Sequence, residues 1–269
     1  MNVAILTSTD TRHRFFVNAI AGEFNVVAIG YQETGYHPAR PNSDRIDERT
    51  AEIVRRHFDE RVRQESIWFG HDAQSRCDGP ESPGRALDIQ SLNTSETVDW
   101  LNRAATDVVV VYGTSLIKPP LLDGYAKRMI NLHLGLSPYY RGTATNFYPL
   151  VNDEPEYVGA TVQRIDAGID SGPIIHHARP DITADDMPHT VGCKAILAGI
   201  EIVKRALREF ESGTLTGVPQ WPVENPRLYL RRDYRPGHVV RLYELIDRGL
   251  FPRYAARQRL VAPRVHLIP

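Results

Sequence analysis

Residues 107–142 read DVVVVYGTSLIKPPLLDGYAKRMINLHLGLSPYYRG. The run Val108 to Tyr112 is continuously apolar and β-rich. That pattern marks a strand buried on both faces, as in a parallel sheet. Gly113 ends it, and Leu121 and Leu122 suit a short helix. Met129 to Leu134 predicts the next strand. Asn131 and His133 stand two apart, so both side chains share one face of it. They fall near its C-terminal end, where open α/β sheets place their sites.

Outward from this stretch, the same rhythm recurs. Val3 to Leu6 and Phe24 to Tyr31 read as strands. Phe15, Phe16, Ala19 and Ile20 recur at helical spacing between them. Tyr157 to Ile165 and Pro173 to Ala178 predict two further strands. Thr183 precedes a long helix with the apolar stripe Ile196, Ile200, Val203, Leu207 and Phe210, and Gly213 stops it. Before the quoted stretch, Asn93 with Glu96 predicts a capped helix carrying Val98, Leu101 and Ala105. The fold class is therefore α/β, an open and mostly parallel sheet with helices on both faces. The boundaries read as a catalytic domain over 1–213, with an insertion over about 32–92, and an arginine-rich extension over 214–269. Within the insertion, Arg45 to Ser66 predicts a polar helix, either a solvated surface helix or a lid.

Composition narrows the function classes. The 269 residues carry Lys+Arg 32 against Asp+Glu 33, which disfavours a general nucleic-acid binder. Cys77 and Cys193 are the two cysteines and stand far apart, so neither a zinc site nor a disulfide scaffold is supported. The turn Thr7 to Thr11 lacks G-x-G-x-x-G, and no Walker A loop is present. The N-terminus reads as a first strand, and no apolar run reaches membrane-spanning length, so a cytoplasmic enzyme without membrane contact is expected.

A second motif follows the first. Asp166-Ala-Gly-Ile-Asp170-Ser-Gly-Pro places two carboxylates around a glycine between two apolar strands. As a calcium loop it fails, because Gly168, Ser171 and His177 occupy the template's third, sixth and twelfth places. No metal is expected. Beside a carboxamide that can stabilise an oxyanion and an imidazole that moves protons, the loop suits carbonyl-group transfer; each motif alone also suits a simple cap or turn.

The two motifs in this order resemble the folate-dependent formyltransferase family, from about Val3 to Leu207 and most closely from Asp107 to Ile175. The resemblance implies transfer of a formyl group from 10-formyltetrahydrofolate, a co-substrate, to an amine, with Asn131, His133 and Asp170 as the catalytic trio. Asn131 and a protonated His133 would stabilise the oxyanion. Asp170 would support the charged imidazole or take the amine proton through a water. It also implies a folate site along Tyr112, Gly113, Thr114, Ser115, Leu116 and Ile117 and along the loop containing Gln163, Ile165, Asp166 and Gly168. Leu116 and Ile117 equally suit ordinary core positions. The family often has proline directly after the histidine; here Leu134-Gly135-Leu136-Ser137-Pro138 intervenes.

The tail from Asn225 holds ten arginines and no lysine. Its apolar residues, among them Leu228, Tyr229, Val239, Leu242, Leu245 and Ile246, predict packing on the core in preference to RNA binding. Gly237 to Arg248 predicts an amphipathic helix. The expected acceptor is a small-molecule amine, such as a nucleotide-linked amino sugar whose diphosphate the arginines would hold. A homodimer is compatible with these features. A 10-formyltetrahydrofolate hydrolase and a non-catalytic folate- or nucleotide-binding relic are the alternatives; retention of the full trio argues against the relic.

Overall fold

A computed structural model describes residues 1–32, 46–71, 84–87 and 92–269. The rest of the stretch read as an insertion, Arg45 included, lies outside the described residues. Strands β1 (Asn2–Thr7), β2 (Asn25–Gln32), β3 (Gly84–Leu87), β4 (Val108–Tyr112), β5 (Met129–His133), β7 (Ala160–Arg164) and β8 (Ile174–Ala178) form one open sheet, ordered β3-β2-β1-β4-β5-β7-β8. The pairs from β3 to β5 are parallel. Strand β7 runs antiparallel to both its neighbours.

Side-chain alternation divides the core. Val3, Ile5, Val108, Val110, Ile130, Leu132 and Val162 face α1 (Thr11–Ala21), α6 (Pro188–Glu211) and Phe69 at the end of α2 (Glu48–Phe69). Ala4, Leu6, Val109, Val111 and Met129 face α3 (Ser95–Arg103) and α4 (Leu121–Tyr125). Both layers exclude water from the central strands, and each fully buried large aliphatic chain contributes about 1.5–3 kcal/mol. This is why Val108 to Tyr112 carries no polar face.

Several elements depart from the sequence reading. The α3 cap is Thr94, whose hydroxyl accepts from Thr97 N at 3.3 Å. Asn93 instead accepts from Lys118 N at 2.7 Å and donates to Leu116 O at 2.9 Å, tying α3 to the end of β4. Helix α2 is no solvated helix: it packs against α1, α6 and α7 (Pro236–Asp247) and buries Val54, His57 and Phe69. The long helix begins at Pro188, and Asp186 ties its entry by accepting from Thr183 N (2.8 Å) and Thr190 Oγ1 (2.8 Å).

The tail packs on the core, as its apolar residues predict. Leu242, Leu250, Phe251 and Tyr254, from α7 and a further helix α8 (Leu250–Val261), join Leu150, Val151, Val158, Ile182 and Val191 in one apolar cluster. Leu228 is the exception and stays exposed. Short strand β9 (Arg227–Tyr229) pairs in parallel with β6 (Tyr140–Gly142), which lies in the loop after His133. The Tyr229 ring stacks on Tyr148, in the one-turn helix α5 (Tyr148–Val151), with centroids 3.5 Å apart. The segment after the long helix is thus built into the environment of the first motif.

Candidate active site

The strand period and the antiparallel register bring the motif residues together. In β5, Ile130 and Leu132 belong to the α6-facing layer, so Asn131 and His133 point to the opposite face. Directly opposite them in β7 stand Gln163 and Thr161, and opposite Thr161 in β8 stands His177. Residues paired across strands share a face. One row of polar side chains therefore crosses three strands at the end of the sheet.

Asp170 arrives from the β7–β8 loop with φ +46°, a left-handed conformation that costs a non-glycine residue about 1–2 kcal/mol. Its Oδ2 accepts from Gly142 N at 2.9 Å and faces His133 Nδ1 at 3.4 Å. Its Oδ1 accepts from Gln163 Nε2 at 3.2 Å and from Asn131 Nδ2 at 3.4 Å. Both carboxylate oxygens are thus held. The other carboxylate of the motif, Asp166, works locally: its Oδ1 accepts from Gly168 N at 3.0 Å and Ser171 Oγ at 2.8 Å, shaping the loop.

The far edge of His133 is fixed too. Thr145 Oγ1 donates to Leu134 O at 2.5 Å, so its lone pair is what faces His133 Nε2 at 3.3 Å. Tyr140 O lies 3.0 Å from the same nitrogen. Both neighbours accept, which places a proton on Nε2 and leaves the Nδ1 edge turned to Asp170. His133 is 6% exposed, so this orientation is set by the protein and not by water. The departure from the family's usual proline is absorbed here: the Leu134–Pro138 segment closes on β7 through Ser137 N to Thr161 Oγ1 (3.0 Å) and Thr161 Oγ1 to Gly135 O (2.6 Å).

The trio opens on a cleft of about 850 Å³. All the residues expected at a folate site, Tyr112 to Ile117 with Gln163, Ile165, Asp166 and Gly168, line that cleft. Their situations differ. The Tyr112 ring is buried beside His13 and its phenol is pushed up by that burial. Gly113 (φ +73°) passes so close to His13 that a Cβ would sit 2.2 Å from the ring. Ser115 N is already bound to Gln32 Oε1 at 2.7 Å. Ile117 is a core residue, whereas Leu116 is 52% exposed at the cleft. Gln163 turns its amide onto Asp170, a supporting contact within the trio's own network.

The opposite wall was not legible beforehand. It is made by the start of α1, by α2, by the start of α6 and by the turn after β9. Arg12 is buried between Glu65, whose oxygens lie 2.7 and 2.9 Å from Nη1, and Asp10, 2.8 Å from Nη2. Arg61 Nε adds a contact to Glu65 Oε1 at 2.9 Å. Burial would raise the Glu65 carboxyl, but the charges of Arg12 and Arg61 outweigh it and hold the group low. Burial, then Arg12 and Arg61, push His13 well below the ordinary histidine value. Thr7 Oγ1 donates to Tyr112 O at 2.7 Å, so His13 Nδ1 is the donor to Thr7 at 2.9 Å, and Nε2 is left as an acceptor. His57 and His189 pack ring to ring at 4.4 Å and are lowered to about 3 and about 4, chiefly by burial. Phe58, Phe147 and Tyr234 complete an aromatic surface, with Arg231 and Arg232 beside it. The Cys193 thiol at this wall is pushed up to about 12 by burial, which makes it inert as a nucleophile. Only Arg12 and His13, directly after β1 at the C-terminal sheet edge, carried a sequence signal of position. The others come from segments too far apart for any spacing rule.

No group of three or more His, Cys, Asp or Glu is placed to hold a metal among the described residues. No helix among them is long and apolar enough to cross a membrane.

An open α/β sheet carrying an Asn-x-His strand and a looped aspartate at one cleft defines a class of group-transfer sites. The formyl transferase family profile matches residues 47–207, and the chain belongs to that family. It is 32% identical over 163 residues to the methionyl-tRNA formyltransferase of Synechococcus elongatus, covering 58% of this chain and 49% of that protein. It is 35% identical over 125 residues to that of Burkholderia pseudomallei, covering 46% and 38%. The chain thus spans about half the length, or less, of these curated relatives. Among solved structures, it resembles a sugar N-formyltransferase from a Shewanella species (TM-score 0.54, 16% identity, 87% of this chain and 78% of that one). It also resembles phosphoribosylglycinamide formyltransferase from Anaplasma phagocytophilum (0.57, 14%, 86% and 98%). A third is PseJ from Anoxybacillus kamchatkensis, solved with UDP-4,6-dideoxy-4-formamido-L-AltNAc and tetrahydrofolate (0.51, 16%, 97% and 98%). At these identities the structural likeness speaks for the fold.

Proposed function

We propose that the protein transfers a formyl group from 10-formyltetrahydrofolate to the amine of a small anionic acceptor, a nucleotide-linked amino sugar. The observation that carries this reading is the carboxylate of Asp170 held on both oxygens against His133 Nδ1 and Asn131 Nδ2 at the mouth of one cleft.

The co-substrate supplies the formyl group. Its folate portion would lie along Gly113 to Leu116 and the Gln163–Gly168 loop. An exposed apolar side chain, Leu116, beside Ile165 and loop backbone offers a flat ring both an apolar face and polar edges. The chain's own residues then have distinct tasks. Asn131 Nδ2–H and, when His133 carries a second proton, its Nδ1–H present donors to an oxygen that gains charge when an amine adds to the formyl carbon. Asp170 takes the proton that the amine loses on forming the new C–N bond, directly or through a water. As the old C–N bond breaks, the same proton is returned to the departing nitrogen. Protons and charge balance with no covalent enzyme intermediate.

The other wall supports the acceptor class. Its neutral imidazoles and aromatic rings suit a planar or sugar ring, and Arg231 and Arg232 lie where a phosphate could be met. The extension over 214–269 thus belongs with acceptor binding in this reading. The test is incubation with 10-formyltetrahydrofolate and a nucleoside-diphosphate-linked 4-amino-4,6-dideoxyhexose, following the formamide by mass spectrometry. Equimolar formamide and tetrahydrofolate are expected. Formate released at the same rate without an amine would make the protein a hydrolase instead.

A further inference from the structure

Gln220 lies beyond the long helix, 50 residues from Asp170 in sequence, yet its side chain enters the aspartate loop. Its Nε2 is 2.8 Å from Asp170 O, 2.9 Å from Gly172 O and 3.2 Å from Gln163 Oε1. Three acceptors around one nitrogen determine which way the amide faces. The reverse orientation would turn Oε1 onto three oxygens. Gln220 Oε1 is accordingly left buried without a hydrogen-bond partner, a cost the site tolerates to keep the donor inward.

The segment is fixed by backbone. Ile174 N donates to Val218 O at 2.8 Å, and Val218 N to Ile174 O at 2.7 Å. This isolated bridge delivers Gln220 from two residues further on. The consequence runs through Gln163. Because Gln163 Oε1 accepts from Gln220, its Nε2 must face the other way, onto Asp170 Oδ1. Gln220 also binds the main-chain oxygen of Asp170, the residue whose left-handed backbone would otherwise relax.

We infer that Gln220 is a positioning residue: through Gln163 and the Asp170 carbonyl, it sets the direction in which the Asp170 carboxylate points at His133. The inference rests on the reading of Asp170 as the reacting carboxylate, and it makes the segment after the long helix a working part of the site. The proton-accepting oxygen has to be aimed within a fraction of an ångström, and misplacement by about 1 Å costs on the order of 100-fold in rate.

The test compares Gln220→Leu, Gln163→Leu and the double variant, using 10-formyltetrahydrofolate with the same nucleotide-linked amino sugar. Leucine keeps the bulk and removes the donor. Each single variant is expected to lower kcat about 10- to 100-fold, and in Gln220→Leu the KM for the formyl donor is expected to move by less than about twofold. The double variant is expected to match the worse single one, because the two act on one oxygen. A crystal structure of Gln220→Leu should show the Gln163 amide turned away from Asp170. An unchanged kcat in a folded Gln220→Leu protein, additive losses, or an unmoved Gln163 would overturn the inference. Asp170→Asn is the separate control. If it keeps full activity, the site reading itself fails. If it is inactive while Gln220→Leu is normal, only the positioning role fails. The crystallographic readout holds even if this amino sugar is not turned over.

Discussion

The two walls of the cleft are built on different principles. The strand wall, from β5 and β7 with the Asp170 loop, consists of short polar side chains held by one another and by neighbouring backbone. Asp170 alone receives Gly142 N, Gln163 and Asn131. The helical wall, from α1, α2, α6 and the turn after β9, consists of long arginines, aromatic rings and neutral imidazoles. Sheet geometry holds atoms to fixed spacing and so suits bond making. Helix surfaces present adaptable side chains and so suit recognition of a variable acceptor. This contrast implies that substitutions on the first wall depress kcat, and substitutions on the second depress stability or raise acceptor KM.

The largest expected effect is on the strand wall. His133→Ala or Asp170→Ala should lower kcat by about 10²–10⁴-fold, with circular dichroism and melting near those of the parent. Near-normal turnover in the His133 variant would break the comparison outright. On the helical wall, Arg12→Ala leaves the part-buried Glu65 with Arg61 as its remaining cation and should destabilise by about 1.5–3 kcal/mol in urea unfolding. Gly113→Ala joins a strained φ to a 2.2 Å clash with His13 and should cost about 2–3 kcal/mol by the same measurement.

A pH effect comes next. His57 and His189 are held at about 3 and about 4 in the fold against 6.5. Below pH 6.5 the unfolded chain binds protons that the folded chain refuses. Their contribution to stability is therefore intact above that pH and declines as the pH falls toward 4, by about 1.4 kcal/mol per unit for each histidine. His57→Phe should flatten the slope of unfolding free energy between pH 6.5 and 4.5, though His13, His177 and His189, also lowered by burial, keep some of it. The smallest effect is expected at the rim: Arg231→Ala with Arg232→Ala should raise acceptor KM by about 5- to 10-fold and leave donor KM alone.

Legibility in the sequence followed locality. Asn131 and His133 were readable because a two-residue spacing on a strand places both on one face whatever surrounds it. The helix cap differs from the sequence expectation by one residue: Asn93 and Thr94 are both good caps, and the choice depends on Lys118 and Leu116, which claim Asn93. Helix α2 looked polar and solvated because its contacts are spread over three partner helices and use His57, Arg61 and Glu65 as well as apolar residues. Helix α8 shows no apolar stripe in the sequence because its buried side, Leu250, Phe251 and Tyr254, lies in its first turns and the rest is arginine-rich.

From the sequence by itself came the class of fold, the burial of its central strands and the shared face of Asn131 and His133, since these depend on periodicity and short spacings; the grouping of Asp170 with them came from the family resemblance. Tertiary structure alone decided that β7 reverses, which sets Gln163 opposite Asn131. It alone decided that Gln220 reaches the aspartate loop, and that arginines and histidines from four segments share one wall, with Arg12 and Arg61 paired to Glu65 and the histidines held low by burial. The reason is physical: a periodicity is written in neighbouring residues, whereas a protonation state or the aim of a carboxylate depends on burial and partners that only the folded chain assembles.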